Sequence, residues 1–132
     1  MVKDDSKRLV LVIEDEEGIR KFVCQVLKLE GGEVLETDSG ERGMELMRQH
    51  KCSLVLLDLR LPGRDGWSIL EEMKGDEALS EVPVIVFTAS ADISQRYRAF
   101  DMGAADYLLK PVSAAKLSNT ISRVLKGARR EG

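Results

Sequence analysis

Five short apolar segments, rich in β-branched residues, alternate along the chain with segments of helical periodicity. Three of the short segments are nearly continuous apolar runs, which is typical of strands covered by helices on both faces. The alternation therefore predicts an α/β domain in which a doubly wound, five-stranded parallel sheet lies between helices. The predicted strands are Leu9–Ile13, Glu33–Thr37, Ser53–Leu57, Val82–Phe87 and Ala105–Leu109.

The segments between the strands carry apolar residues at three- and four-residue spacing, as on one face of a helix. The first helix should begin near Glu16 and end at Gly31, and Ser39 should cap the second. The fifth should open after Pro111, with Ser113 as its cap. The apolar stripes, which we expect in the core, are Ile19, Phe22, Val23, Val26 and Leu27; Met44 and Met47; Trp67, Leu70 and Met73; Ile93, Tyr97 and Phe100; and Leu117, Ile121, Val124 and Leu125.

Length and charge limit the classes of function that remain. The 132 residues suit one compact domain, which we place at 9–126, after an N-terminal extension (1–8) and before a tail or linker (127–132). Twenty basic and 23 acidic residues give a net charge of -3, which disfavours direct nucleic-acid binding. No apolar run is long enough to span a membrane. We expect Cys24 and Cys52 to be reduced, buried thiols of a cytoplasmic protein.

Ionisable and hydroxyl side chains interrupt the apolar runs almost only where a predicted strand ends. Glu14 and Asp15 follow the first strand, and Asp58 follows the third. Thr88 follows the fourth strand and Lys110 the fifth. The carboxyl ends of parallel strands lie side by side, and ligands of such sheets bind there. We therefore expect these five side chains to meet in one pocket.

This set of groups has a definite chemical use. Clustered carboxylates favour a hard divalent cation with oxygen ligands, which predicts Mg²⁺. A carboxylate beside the metal, here Asp58, can attack phosphorus and form an aspartyl phosphate. The metal and Lys110 would neutralise the phosphoryl oxygens, while Thr88 donates a hydrogen bond to one of them.

Four segments of the sequence resemble, in order and spacing, the motifs of response regulator receiver domains of two-component signalling. The resemblance implies a flavodoxin-like (βα)5 fold of strand order 2-1-3-4-5 in a cytoplasmic, bacterial regulatory protein. Such a domain is not an enzyme in its own right, but it catalyses its own phosphorylation and dephosphorylation. The matching segments are residues 10–17, 56–66, 85–89 and 103–111.

The same resemblance assigns roles around the phosphoacceptor. Asp58 would receive its phosphoryl group from a phosphohistidine of a sensor histidine kinase or a histidine phosphotransfer protein. Mg²⁺, or Mn²⁺, would be bound by Asp58, by Asp15 directly and by Glu14 through water. The backbone carbonyl of Arg60 would be a further ligand.

The resemblance also implies a switch. Thr88 and Lys110 match the switch hydroxyl and the phosphate-binding lysine, and Lys110–Pro111 resembles a peptide bond that is typically cis. Tyr107 matches the aromatic residue whose ring turns inward when the hydroxyl engages the phosphoryl group. The fourth helix, fifth strand and fifth helix match the usual signalling face, through which the chain would form a homodimer.

Two further positions match those that tune phosphorylation and dephosphorylation rates. Arg60 lies two residues beyond Asp58, and Ser90 lies two beyond Thr88. Our hypothesis is that the Arg60 side chain leans over the acyl phosphate and slows attack by water.

Other readings of the same residues are weaker. A phosphotransferase of the haloacid dehalogenase type also uses an aspartyl nucleophile at a strand end. It requires a second acid two residues later, where this chain has Arg60, and a cap domain. A receiver that only binds partners would lack part of the acidic pocket, and a nucleotide-binding domain would have a glycine-rich loop after the first strand. His50 has no matching partners and is expected at the surface.

Overall fold

The structure is a computed structural model that describes residues 8–131, without the side chains of residues 128–131. Within this part, five strands alternate with five helices, as predicted. The strands are β1 (Leu9–Ile13), β2 (Glu33–Thr37), β3 (Leu54–Asp58), β4 (Val84–Thr88) and β5 (Asp106–Leu109). The helices are α1 (Glu17–Leu29), α2 (Gly40–Gln49), α3 (Gly66–Gly75), α4 (Ile93–Asp101) and α5 (Ala114–Glu131).

The predicted domain boundaries lie close to the two ends of the described residues. The N-terminal extension that we placed at 1–8 lies almost entirely outside the described residues. At the other end, α5 continues to Glu131, beyond residue 126 where the domain was expected to end. The predicted tail or linker is therefore helical over its described part.

The strands form one parallel sheet in the order β2-β1-β3-β4-β5, which confirms the predicted topology. In this order the chain passes from β1 to β2 on one side, and then crosses back to add β3, β4 and β5 on the other side. The direction in which strands are added therefore reverses between β1 and β3. The register places Asp58 opposite Phe87, and Thr88 opposite Leu109. The carboxyl ends of β3, β4 and β5 therefore adjoin one another at one edge of the sheet.

The hydrophobic core has two layers, one on each face of the sheet. Alternate residues of each strand point to opposite faces, so Leu11 packs with the layer of α2, α3 and α4, whereas Val12 packs with that of α1 and α5. All five residues of β3 are buried. A sheet covered on both faces explains the continuous apolar runs of the sequence.

Local signals fix most helix ends. The Ser39 side chain accepts a hydrogen bond from the Arg42 amide, and the Ser113 side chain accepts one from the Lys116 amide, so both predicted caps are confirmed. The prediction for β4 began too early, because the Val82 amide donates to the Leu79 carbonyl in a turn.

The expectation that every apolar stripe belongs to the core is wrong for α4, and also for Phe22 of α1, which is 40% exposed. Ala99 is the buried residue of that helix, whereas Ile93, Tyr97 and Phe100 are 66%, 70% and 39% exposed. The small Ala99 side chain lets the helix approach the sheet, and the larger side chains face outward. His50 is exposed, as predicted.

The two cysteines behave as predicted: Cys24 and Cys52 are both free and buried. They lie in opposite layers of the core, Cys24 with α1 and Cys52 just before β3. No described helix is long and apolar enough to cross a membrane.

Candidate functional site at the carboxyl ends of the strands

Three carboxylates meet at the edge of the sheet where the winding reverses. Glu14 follows β1, Asp15 comes next, and Asp58 is the last residue of β3. One oxygen from each lies within 4.8 Å of the other two. Glu14 is 0% and Asp58 3% exposed, whereas Asp15 is exposed. The pocket thus has two buried acids at its floor and one at its mouth.

Lys110, immediately after β5, places its ammonium among these acids. Its Nζ lies 2.7 Å from Glu14 Oε1 and 3.2 Å from Asp58 Oδ2. The peptide bond between Lys110 and Pro111 is cis, as the resemblance implied. The predicted meeting of Glu14, Asp58 and Lys110 is therefore present in the structure.

Backbone amides orient the two buried carboxylates. Asp58 Oδ1 accepts a hydrogen bond of 3.0 Å from the Arg60 amide. Glu14 Oε2 accepts one of 3.0 Å from the Glu16 amide. The other Glu14 oxygen, Oε1, is buried without a hydrogen bond of suitable geometry, although the Lys110 ammonium is close enough for an ion pair.

The electrostatics of the pocket fit a divalent cation. Burial raises the pKa of Glu14, and burial likewise raises the pKa of Asp58. Burial opposes the charge of Lys110, but contacts with both carboxylates outweigh it and raise the lysine pKa. With all groups ionised, three carboxylates and one ammonium leave a net charge of −2. Oxygen donors with an uncompensated negative charge suit Mg²⁺.

A chain of hydrogen bonds leads from the pocket to β5. Thr88, 2% exposed, ends β4, and its Oγ1 accepts a hydrogen bond of 3.2 Å from the Ser90 amide. The Ser90 carbonyl accepts one of 3.1 Å from the Tyr107 hydroxyl. Tyr107 is 7% exposed, and burial raises the pKa of its hydroxyl. The backbone of Ser90 thus connects the two side chains that the resemblance assigned to a switch.

Arg60 and Ser90 lie on the two loops that flank the pocket. The Arg60 side chain is exposed and lines a cleft of about 490 Å³ together with Asp15, Thr88 and Gln95. Its amide, but not its guanidinium, contacts Asp58. The cleft gives the reactive edge of the site an opening to solvent on this side.

Sequence reasoning did not foresee the contact between Arg20 and the site. Arg20, on α1, donates a hydrogen bond of 2.9 Å from Nη1 to the backbone carbonyl of Glu14. Its Nε donates to Glu36 Oε1 at 3.0 Å. The signal for such a partner was Glu36, an acid inside a predicted strand.

The fold and the pocket define a class: doubly wound α/β domains with an acidic site and a lysine at the switch point of the sheet. The response regulator receiver domain family matches residues 10–122, and the chain belongs to that family. It is a regulatory domain of two-component systems rather than a conventional enzyme. The haloacid dehalogenase alternative receives no support.

Similar proteins include transcriptional regulators and isolated receiver domains. The chain is 35% identical over 121 residues to the "Probable transcriptional regulator ycf27" of Porphyridium aerugineum, covering 92% of this chain and 49% of that protein. It is 33% identical over 119 residues to the phosphate regulon transcriptional regulatory protein PhoB of Escherichia coli, covering 90% and 52%. The chain thus spans about half the length of these curated relatives.

Solved structures show the same architecture. A CheY-like response regulator receiver domain protein from Methanospirillum hungatei superposes with a TM-score of 0.89 at 26% identity. The match covers 96% of this chain and 100% of that chain. A response regulator receiver domain protein from Clostridium thermocellum gives 0.86 at 29% identity, covering 95% and 99%.

Proposed function

We propose that Asp58 is the phosphoacceptor of this receiver domain and takes its phosphoryl group from a sensor histidine kinase or a histidine phosphotransfer protein. The observation that carries the proposal is the buried Asp58 carboxylate beside the Lys110 ammonium, 3.2 Å away. A carboxylate oxygen attacks phosphorus, the bond from phosphorus to the histidine nitrogen breaks, and its electron pair stays on the imidazole. The product is an aspartyl phosphate.

Mg²⁺ or Mn²⁺ would be held by Glu14, Asp15, Asp58 and the backbone carbonyl of Arg60. When bound, such a cation supplies charge that neutralises the phosphoryl oxygens. The net charge of the carboxylates and the lysine supports this assignment, as does the convergence of one oxygen each from Glu14, Asp15 and Asp58 within 4.8 Å.

Lys110 and Thr88 hold the transferred group. Lys110 already contacts both buried carboxylates, so its ammonium can pair with phosphoryl oxygens without crossing the pocket. Thr88 Oγ1 accepts from the Ser90 amide, which leaves its own hydroxyl proton for the phosphoryl group. A shift of Thr88 would then be passed through Ser90 to Tyr107, favouring a second arrangement of the domain.

The same pocket would catalyse both phosphorylation from small phosphodonors and dephosphorylation by water. Arg60 and Ser90 would tune these rates, because both lie on loops beside the pocket. The exposed Arg60 side chain, at the mouth of the cleft, would shield the acyl phosphate from water. We place the protein in the cytoplasm of a bacterium, where two-component kinases deliver phosphoryl groups.

The signalling surface would comprise α4, β5 and α5. Support comes from the exposed apolar stripe of α4, and from Leu109 of β5, which is 42% exposed. Exposed apolar groups bordered by charges are typical of protein contacts. A homodimer would form through this face, with Arg96, Arg98 and Asp101 supplying pairing charges. The domain itself would not contact nucleic acid; the relatives named as transcriptional regulators support an output carried elsewhere.

The experiment is a titration with beryllofluoride and Mg²⁺, a stable mimic of the phosphoryl group, followed by NMR of backbone amides. We expect shifts at Thr88, Ser90 and Tyr107 in the parent chain. The matched Asp58→Asn variant keeps the shape of the side chain and should show none. Equal spectra in the parent with and without the mimic would contradict the proposal.

A further inference from the structure

Arg20 has the surroundings of a fixed side chain rather than of a surface charge. Its side chain is 15% exposed, although arginines on helices usually extend into solvent. The guanidinium donates from Nη1 to the Glu14 carbonyl and from Nε to Glu36 Oε1, at 2.9 and 3.0 Å. It therefore joins α1 to the loop after β1 and to β2.

The carbonyl that Arg20 binds belongs to the peptide between Glu14 and Asp15. Fixing this oxygen fixes the plane of that peptide, and with it the direction in which the two acidic side chains leave the backbone. The Glu14 amide donates to the Thr37 carbonyl at 3.0 Å, which anchors the other side of the residue. Arg20 completes this framework without contacting any carboxylate of the pocket among the contacts described.

Glu36 holds the Arg20 guanidinium in place, and its second basic partner, Lys21, offers a control for mutagenesis. Burial opposes the charge of Glu36, but hydrogen bonds from Arg20 and Lys21 outweigh it and lower the pKa of Glu36. Lys21 Nζ lies 3.3 Å from Glu36 Oε1. Lys21 thus binds the same carboxylate as Arg20 and carries the same positive charge, but it makes no described contact with the site.

We propose that Arg20 is a positioning residue for the metal site, acting through the backbone carbonyl of Glu14. The inference rests on the proposed binding of Mg²⁺ by Glu14, Asp15 and Asp58. Residues that orient metal ligands typically contribute about 10- to 100-fold in metal affinity.

Electrostatics alone predict the opposite sign. A guanidinium near a cation site repels the cation, so removing its charge should tighten Mg²⁺ binding. A positioning role predicts that the same change weakens binding. The sign of the effect therefore separates the two explanations.

The test is Mg²⁺ binding to the full chain by calorimetry, with Arg20→Gln and the matched Lys21→Gln. We expect Arg20→Gln to raise the Kd about tenfold, and Lys21→Gln to leave it unchanged or slightly lower. In the metal-free protein, hydrogen exchange at the Glu14 and Glu16 amides should accelerate in Arg20→Gln but not in Lys21→Gln. Arg20→Lys keeps the charge but lacks the planar fork, so it should also weaken binding.

The outcomes separate this inference from the proposed function. If the parent chain fails to bind Mg²⁺, the metal site itself is wrong. If the parent binds and Arg20→Gln binds equally or more tightly, the positioning role is overturned. Should Arg20→Gln not fold, Arg20→Lys decides: parental affinity together with parental amide exchange overturns the inference, and weakened affinity supports it.

Discussion

At the scale of single residues, Asp58 is a buried carboxylate beside a second buried carboxylate, Glu14. Because burial raises both pKa values above those of the unfolded chain, ionisation of these groups works against folding. Their contribution to stability is fully present below the unfolded pKa and is lost as the pH rises through the folded pKa. At neutral pH, Lys110 offsets only part of the cost, and a divalent cation would offset the rest.

Asp58→Asn should therefore raise the thermal stability of the metal-free protein at neutral pH, because it removes an ionised group from the pocket. The gain should shrink as the pH falls through the raised pKa of Asp58, where the parental carboxyl becomes neutral too. Thermal denaturation with a chelator, measured across pH, checks this. A variant that is no more stable than the parent at neutral pH would contradict this prediction.

Arg60 makes a residue-scale prediction about the lifetime of the phosphate. Arg60→Ala should shorten it several-fold, because the exposed guanidinium at the cleft would no longer screen the acyl phosphate from water. Phosphate release after removal of the phosphodonor measures the lifetime. The control is Arg42→Ala. Arg42 is an exposed residue of α2 that pairs with Glu45, and its replacement should leave the lifetime at the parental value. Equal lifetimes in all three proteins would refute the shielding role.

At the scale of elements, the site depends on how closely α3 approaches the end of β3. Gly66 opens α3, and its amide donates to the Leu59 carbonyl. A Cβ at this position would lie 2.3 Å from the Asp58 carbonyl oxygen and 2.7 Å from Leu59 Cα. The glycine therefore permits the backbone contact that sets the position of Asp58.

Gly66→Ala should destabilise the domain by about 1–3 kcal/mol, because backbone atoms must move to admit the methyl group. Gly18→Ala, in the first turn of α1 with nothing within 4 Å of the new Cβ, is the matched control. It should be neutral or stabilise by up to about 1 kcal/mol, as alanine favours helices. Urea denaturation of both variants decides; similar stabilities would count against the close packing of α3.

The elements show where sequence patterns suffice. Capping serines and alternating apolar segments are local signals, so the caps Ser39 and Ser113 and the five-stranded parallel sheet were predictable, whereas the strand order came from the family resemblance. The outward stripe of α4 was not, because periodicity identifies an apolar face without showing what covers it. Here the small Ala99 replaced the large residues as the contact with the sheet.

At the scale of the whole molecule, the two core layers carry one thiol each. Burial, and then the nearby Glu36, raise the pKa of Cys24 to about 11, and burial raises the pKa of Cys52. At pH 8 only about a thousandth of the buried Cys24 thiol would therefore be thiolate in the folded protein. Reactivity should thus report opening of the fold.

Neither thiol should react with a thiol reagent at pH 8 in the native protein, and both should become reactive over the same range of urea. The physical reason is that the same sheet packs against both core layers, so the two layers should unfold together. Peptide mapping after pulse labelling measures each thiol. Labelling of one cysteine at clearly lower urea would show instead that its layer opens separately.

The whole site could be foreseen only in part. The rule that ligands bind at the carboxyl ends of parallel strands located Glu14, Asp58, Thr88 and Lys110, because a parallel sheet brings those ends side by side. The role of Arg20 depends on the approach of α1 to β2, and the Ser90 connection depends on the path of a loop. Neither is encoded by a local pattern.

The central claim, that Asp58 is phosphorylated in a metal-dependent way, is tested most directly by intact-mass spectrometry after incubation with acetyl phosphate. We expect a mass increase of one phosphoryl group with Mg²⁺, and none with a chelator or in Asp58→Asn. An unmodified parent chain in Mg²⁺, or equal modification of the Asp58→Asn variant, would contradict it.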